Sequence, residues 1–280
     1  MTPRVSKLAA FIATVAFLML GVWCQGQPRF LTREASLRNV VSGPFVFTTD
    51  LAANDVEDIS AELLALERRI TAELKLPRLA VPVRVYPFQT KARYLSYLQQ
   101  HFPALHRSAS GRRAIFLLRD GAPHIFVHNS ADLRGDIRHE FTHALLNTSV
   151  RGLPLWLDEG LAEFYGAPDG SGYQAAHANL VRSRIRQGGT MGLARLESLT
   201  DHQQMGKLEY ATAWSWAHFL LRGPAEVRNV VPAYLTTLRS DSPGEQIQTR
   251  VFQCVQNPYQ SWRSHLDKLT SPSSTALPDS

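Results

Sequence analysis

The hydrophobic pattern of this 280-residue chain changes near Asp132. Before that point, short β-prone runs alternate with helical segments. After it, nearly all apolar residues follow the three-and-four spacing of amphipathic helices. Strands confined to one part of a chain indicate an α+β fold. We therefore predict a mixed α/β subdomain at 45–130, a mainly helical subdomain at 131–266 and an active-site cleft between them.

The elements of the first subdomain follow from apolar spacing and turn signals. Pro77 ends the longest predicted helix, and Arg119-Asp120-Gly121-Ala122 has the composition of a hairpin turn. We expect the strand at 124–128 to form the cleft edge, where an extended peptide would add as a further strand. The predicted strands are 45–49, 81–86, 114–118 and 124–128, and the predicted helices are 55–76 and 91–101.

The helices of the second subdomain are predicted from the same spacing. In the first of them, no Gly or Pro interrupts the apolar stripe from Ile137 to Leu145, which makes its helical pattern especially clear. The predicted helices are 133–148, 154–165, 173–187, 208–222, 226–239 and 244–265.

The N-terminal residues have the layout of an export segment. Arg4 and Lys7 precede an uncharged, largely apolar stretch that continues to Pro28. We predict a signal peptide or a single N-terminal membrane anchor at 1–28, which exports the rest of the chain to the periplasmic or extracellular side. A linker at 29–44 and a disordered tail at 267–280 complete the predicted organisation.

Composition excludes several kinds of function. The formal net charge of +6 is spread along the chain without the Lys/Arg runs of a nucleic-acid-binding surface. The two cysteines, Cys24 and Cys254, are too few for a disulfide framework or a Cys-rich zinc module. Any bound metal must therefore rely on histidine and carboxylate ligands.

The segment His139-Glu140-Phe141-Thr142-His143 matches the pattern H-E-x-x-H within a predicted helix. Two histidines four residues apart lie one turn apart on the same helix face, so both imidazoles can reach one metal ion. Glu140 points about 100° away from them. This spacing predicts His139 and His143 as zinc ligands and Glu140 as the general base toward a water molecule that zinc activates.

A catalytic zinc ion requires a third protein ligand and one open position. The downstream segment Trp156-Leu157-Asp158-Glu159-Gly160-Leu161-Ala162-Glu163 supplies it, and Glu159 is the best candidate. Glu163 lies one turn further along the same helix face, where it can accept the second ring N–H of a ligand histidine. Asp158 and Glu163 remain alternative third ligands.

These two segments resemble the gluzincins, zinc peptidases with two histidines from H-E-x-x-H and a downstream glutamate. The sequence is most similar to the peptidase-MA-like and DUF1570 group, through H-E-x-x-H-A-L-L at 139–146 and P-x-W-L-x-E-G-x-A-E-F at 154–164. Weaker similarity extends over most of 45–222. The resemblance implies a zincin-like fold, the ligands His139, His143 and Glu159, and the base Glu140. In related M1 aminopeptidases, the tyrosine of a Y-x-x-G/A segment stabilises the oxyanion. Tyr210-Ala211-Thr212-Ala213 matches that segment, so the resemblance implies this role for Tyr210.

Two departures limit the implied specificity. The G-x-M-E-N segment with which M1 enzymes bind a free amino terminus is absent, so aminopeptidase specificity is not implied. Leu146 and Ser149 occupy the positions of the metzincin glycine and third histidine. We expect a peptidase of unknown peptide or protein substrate, with the oligomeric state undetermined.

Two alternatives remain open. The chain can be a surface module that retains zinc and catalyses nothing, or a hydrolase of a non-peptide bond such as a cell-wall amide. Five of the other histidines are predicted to be structural or exposed, because none has a partner at ligand spacing. These are His124, His128, His177, His202 and His218.

Overall fold

The structure is a computed structural model that describes residues 36–189, 192–240 and 245–269. The predicted export segment at 1–28 lies outside these ranges, as do the linker residues before 36 and the tail residues after 269. Within the described ranges, no helix is both long enough and apolar enough to cross a membrane.

The described residues form an α+β fold with one mixed five-stranded sheet. The strands are β1 (Arg38–Ser42), β2 (Phe45–Thr49), β3 (Val83–Phe88), β4 (Ala114–Arg119) and β5 (Ala122–His128). Their order in the sheet is β1-β2-β3-β5-β4, in which the three central strands are parallel and both edge strands are antiparallel to their neighbours.

Strand β1 corrects the predicted linker at 29–44. It pairs antiparallel with β2 across a two-residue turn in which Gly43 has a φ of 58°. The strand was not predicted because none of its residues is buried, Val41 is 74% accessible, and its only apolar residues, Val40 and Val41, are adjacent and do not alternate with polar ones. The folded region therefore begins before Phe45.

The hairpin predicted around Asp120 and Gly121 is confirmed. Both residues have positive φ angles, 53° and 76°, as a type I′ turn requires. The expected cleft edge at 124–128 is wrong, however, because β5 pairs with β3 on one side and with β4 on the other. The strand at this edge of the sheet is β4, and β1 forms the other edge.

The helices agree with most predicted segments to within a few residues. Two short helices, Pro103–Ala109 and Leu193–Glu197, were not predicted, and the predicted helix 244–265 is two helices interrupted before Pro258. The helices are α1 (Ala53–Leu74), α2 (Lys91–His101), α3 (Pro103–Ala109), α4 (Leu133–Ser149), α5 (Leu155–Gly166), α6 (Ala175–Arg186), α7 (Leu193–Glu197), α8 (Lys207–Arg222), α9 (Val230–Arg239), α10 (Ile247–Cys254) and α11 (Pro258–Lys268).

The two halves of the chain share one hydrophobic core. One face of the sheet, with Phe45 and Val85, belongs to the same buried cluster as α1, α4, α5 and α8. The opposite face, with Phe88 and Phe126, packs with α2 and α3 in a second, smaller cluster. The predicted subdomains are therefore regions of one packed unit, and helix α4 lies where the sheet and the helical half meet.

Candidate metal centre

Helix α4 presents His139 and His143 because its opposite face is fixed in the core. Asp132 caps the N-terminus by accepting a 3.0 Å hydrogen bond from the Gly135 amide. Phe141 is fully buried and packs edge to face against Phe45, with ring centroids 5.7 Å apart. His139 and His143 each lie two residues from Phe141, about 200° around the helix, so both point away from the core and toward the cleft.

Three side chains converge on one point of this cleft. The Nε2 atoms of His139 and His143 are 3.1 Å apart, and Oε2 of Glu159 lies 3.6 Å from each. One ligand atom from each residue lies within 4.8 Å of the other two. His143 and Glu159 are buried, and His139 is partly buried. This group can hold a metal ion, and its third ligand candidate is Glu159.

Close packing of α5 on α8 determines where Glu159 lies. A Cβ atom at Gly160 would lie 2.5 Å from the carbonyl oxygen of Ala213. Only glycine therefore permits this approach of the two helices. Trp156, one turn before Gly160, is fully buried. Glu159, the residue directly before Gly160, points toward α4, where its Oε2 lies 3.6 Å from both histidines.

Asp158 interacts with the outer nitrogen of a candidate ligand. Its carboxylate lies 3.0 Å from Nδ1 of His143, and the side-chain amide of Asn147 donates to the same carboxylate. A carboxylate at Nδ1 holds the proton on that atom and leaves the Nε2 lone pair for a metal. Asp158 therefore lies beside the convergent group, outside the three residues that compose it.

Glu163 does not make the hydrogen bond expected of it. Its carboxylate lies 3.9 Å from Nδ1 of His139, which exceeds hydrogen-bonding distance. Gln174 and His177 are its partners instead, each 3.0 Å away. Burial would raise the pKa of Glu163, but the hydrogen bond with His177 and the nearby histidine charges lower it. Glu163 thus joins α5 to the start of α6.

His202 is a contact that the sequence did not reveal. It lies in a short 3-10 helix, His202–Gln204, between α7 and α8, and its Nδ1 is 3.1 Å from Oε1 of Glu159. Its ring is half exposed and lines the same cleft. It was predicted to be structural or exposed because it has no partner at a fixed spacing along the chain.

Electrostatics favour an ionised Glu159. Burial alone would raise its pKa, but the close approach of the His139, His143 and His202 rings outweighs that effect and holds the pKa far below its usual range. Glu140 differs, because burial raises the pKa of this carboxyl and the two nearby histidines offset the rise only in part. The two carboxylates are thereby suited to different roles, one as a ligand and one as an acceptor of protons.

The cleft around the group has a volume of about 1040 Å³. Its walls include the edge strand at Ala114 and Phe116, the helix residue Glu140, and Tyr210 of α8. Burial, followed by the charges of Glu159 and other carboxylates, raises the pKa of Tyr210 to about 12. The phenol therefore keeps its proton at neutral pH and can donate a hydrogen bond into the cleft.

Four further histidines make contacts away from the convergent group. His124 stacks on Tyr86 on the sheet face opposite α4, and His128 bonds the neighbouring carbonyl of Asn129. His218 pairs with His265 between α8 and α11, at 2.9 Å. These four histidines lie outside the convergent group of His139, His143 and Glu159.

No protein-family model matches the sequence, and no curated protein matches it significantly.

Proposed function

We propose that this protein is a zinc-dependent peptidase of the zincin type, with the ligands His139, His143 and Glu159. One observation carries the proposal: three ligand atoms converge beside a fourth side chain, Glu140, that lines the cleft but does not belong to the convergent group. A metal centre that served only stability would not require a second, partly buried carboxylate at that place.

The ligand types favour zinc. Two imidazoles and one carboxylate form a ligand set of catalytic zinc sites, which leave one position for water or substrate. When bound, zinc lowers the pKa of water and polarises a carbonyl oxygen. The donors of this chain suit that role because both Nε2 atoms and Oε2 of Glu159 face one another inside the fold.

Glu140 is proposed as the general base. Its raised pKa brings the carboxyl closer to the pH at which it can accept and later release a proton. Tyr210 lines the same cleft with a protonated hydroxyl, and we propose that it donates a hydrogen bond to the oxyanion that develops on the substrate.

The edge strand favours a peptide substrate. The amide of His128 donates to the carbonyl of Arg113, so every second residue from Arg113 along β4 bonds to β5. The backbone groups of the residues between them, Ala114 and Phe116, therefore face the open side of β4. Both residues line the cleft. An extended peptide can pair with these groups as a sixth strand, which brings its backbone carbonyls near the metal ligands.

The proposal is tested with zinc content and a broad peptide-library digest. The wild-type protein is expected to hold about one zinc ion per chain and to cleave peptides. Glu140→Gln is expected to keep the zinc and to lose activity by about 10²-fold or more, because it removes a general base. Glu57→Gln, on the exposed side of α1, serves as the matched control.

Three results contradict the proposal in different ways. If the wild-type protein contains no zinc, the proposed zinc centre is wrong. Elemental analysis would then show whether the site holds iron, which similar ligands also bind. If the protein binds zinc but cleaves no peptide, it is a binding module or a hydrolase of another bond. If Glu140→Gln still cleaves peptides, Glu140 is not the general base.

A further inference from the structure

His202 contacts the one oxygen of Glu159 that does not face the histidine ligands. Oε2 of Glu159 lies 3.6 Å from both Nε2 atoms of His139 and His143, whereas Oε1 lies 3.1 Å from Nδ1 of His202. An ionised carboxylate only accepts hydrogen bonds, so the bond requires the proton to be on Nδ1. The two oxygens of Glu159 therefore have separate partners.

The turn that carries His202 is fixed independently of the metal ligands. The side chain of Gln204 accepts hydrogen bonds from the amides of Thr200 and Asp201, at 2.9 and 3.2 Å. Asp201 caps the same turn by accepting from the Gln203 amide at 2.8 Å, and Met205 buries the end of the turn in the core. A half-exposed histidine on an otherwise free loop would not be held in this way.

We infer that His202 is a positioning residue that restricts Glu159 to binding the metal through Oε2 alone. This inference rests on the proposed metal centre. A carboxylate can bind a metal ion through one or both oxygens, and the second mode would occupy a position that a catalytic centre leaves open. The hydrogen bond to Oε1 opposes that second mode. His202 itself is not part of the convergent group found among the described residues.

Three substitutions separate this role from others that the same ring can have. The amide nitrogen of asparagine branches from Cγ, as Nδ1 of histidine does, whereas the amide nitrogen of glutamine extends to the region of Nε2. His202→Asn therefore preserves the donor to Glu159, His202→Gln preserves a donor toward the cleft, and His202→Ala preserves neither. Gln203→Ala, an exposed neighbour on the same turn, is the matched control.

The measurements are zinc affinity by chelator competition and visible absorption of the Co²⁺-loaded protein, which weakens when the coordination number rises above four. His202→Ala is expected to lower zinc affinity by about 10-fold or more and to weaken the absorption. His202→Asn is expected to restore most of both, and His202→Gln to behave like His202→Ala. Urea unfolding of each metal-free variant should match the wild type, because the ring is half exposed.

Two results would overturn the inference alone: zinc binding in the wild type with no change in His202→Ala, or rescue by glutamine in preference to asparagine. Failure of the wild type to bind zinc would instead overturn the proposed function together with the inference. Because metal affinity and cobalt absorption require no substrate, both readouts are independent of whether the protein cleaves peptides.

Discussion

The Asp158 carboxylate lies 3.0 Å from Nδ1 of His143, on the side of the ring that faces away from His139. The hydrogen bond orients the imidazole and increases its strength as a ligand. We predict that Asp158→Ala lowers zinc affinity by about 10- to 100-fold. Asp158→Asn, which keeps an acceptor oxygen, should lower it less. Chelator competition measures both, with the exposed Asp267→Asn as control; equal affinities for all variants would contradict this role.

Removing the hydroxyl of Tyr210 should slow turnover without affecting the metal. We predict that Tyr210→Phe lowers kcat by about 10²-fold, with little change in KM, because a donor to the transition state is lost. Zinc content and thermal unfolding should equal those of the wild type. The partly exposed Tyr259→Phe is the control in the same peptide assay. An unchanged kcat would mean that Tyr210 is only a packed aromatic of the cleft.

A methyl group at Gly160 should disturb the helix that carries Glu159. Alanine normally stabilises a helix relative to glycine by about 1 kcal/mol. Here its Cβ would lie 2.5 Å from the Ala213 carbonyl oxygen, so we predict that Gly160→Ala destabilises the protein by about 1–3 kcal/mol. Zinc affinity should also fall. Gly111→Ala, where no atom lies within 4 Å of the added Cβ, controls for the substitution in urea unfolding. A more stable Gly160→Ala would refute the packing argument.

The pair formed by the buried His218 and the partly buried His265 should make stability depend on pH. Burial lowers the pKa of His218 to about 3 and that of His265 to about 4. The unfolded chain binds these protons near pH 6.5 and the folded chain does not, so stability is complete above that pH and falls as the pH decreases toward the folded values. For His218 alone, we predict a loss of about 2 kcal/mol between pH 7 and pH 5.

Urea unfolding in the presence of a chelator measures this loss without a contribution from bound metal. His218→Gln is expected to reduce the difference between the two pH values, whatever its effect on stability at pH 7. If the variant and the wild type lose the same free energy between pH 7 and pH 5, the pair is not responsible.

Local patterns were sufficient to predict the elements that carry the candidate ligands. Helix α4 could be predicted because Ile137, Phe141 and Leu145 form a regular apolar stripe, and α5 because Pro154 precedes a compact apolar segment. The β4–β5 hairpin could also be predicted from neighbouring residues, because Asp120-Gly121 suits a turn with two positive φ angles. In each case neighbouring residues alone determine the structure.

The remaining features depend on contacts between distant parts of the chain. The contact of His202 with Glu159 results from the path of the loop after α7, for which periodicity gives no signal. The expected bond from His139 to Glu163 was wrong because His177, from another helix, binds that carboxylate. The edge position of β4 follows from the insertion of β5 beside β3, a pairing that strand composition does not specify.

Arg138 precedes His139 and donates two hydrogen bonds, at 2.9 and 2.8 Å, to the carbonyl of Gly166 at the end of α5. Its guanidinium also pairs with Glu62 of α1. One cation therefore braces three helices through bonds that involve none of the candidate ligands. In small zinc-dependent domains the ion must arrive before the chain can fold. Because this brace requires no metal ion, we expect the chain to fold before any ion binds, so that metal supply would change how much protein is loaded and not how much is folded.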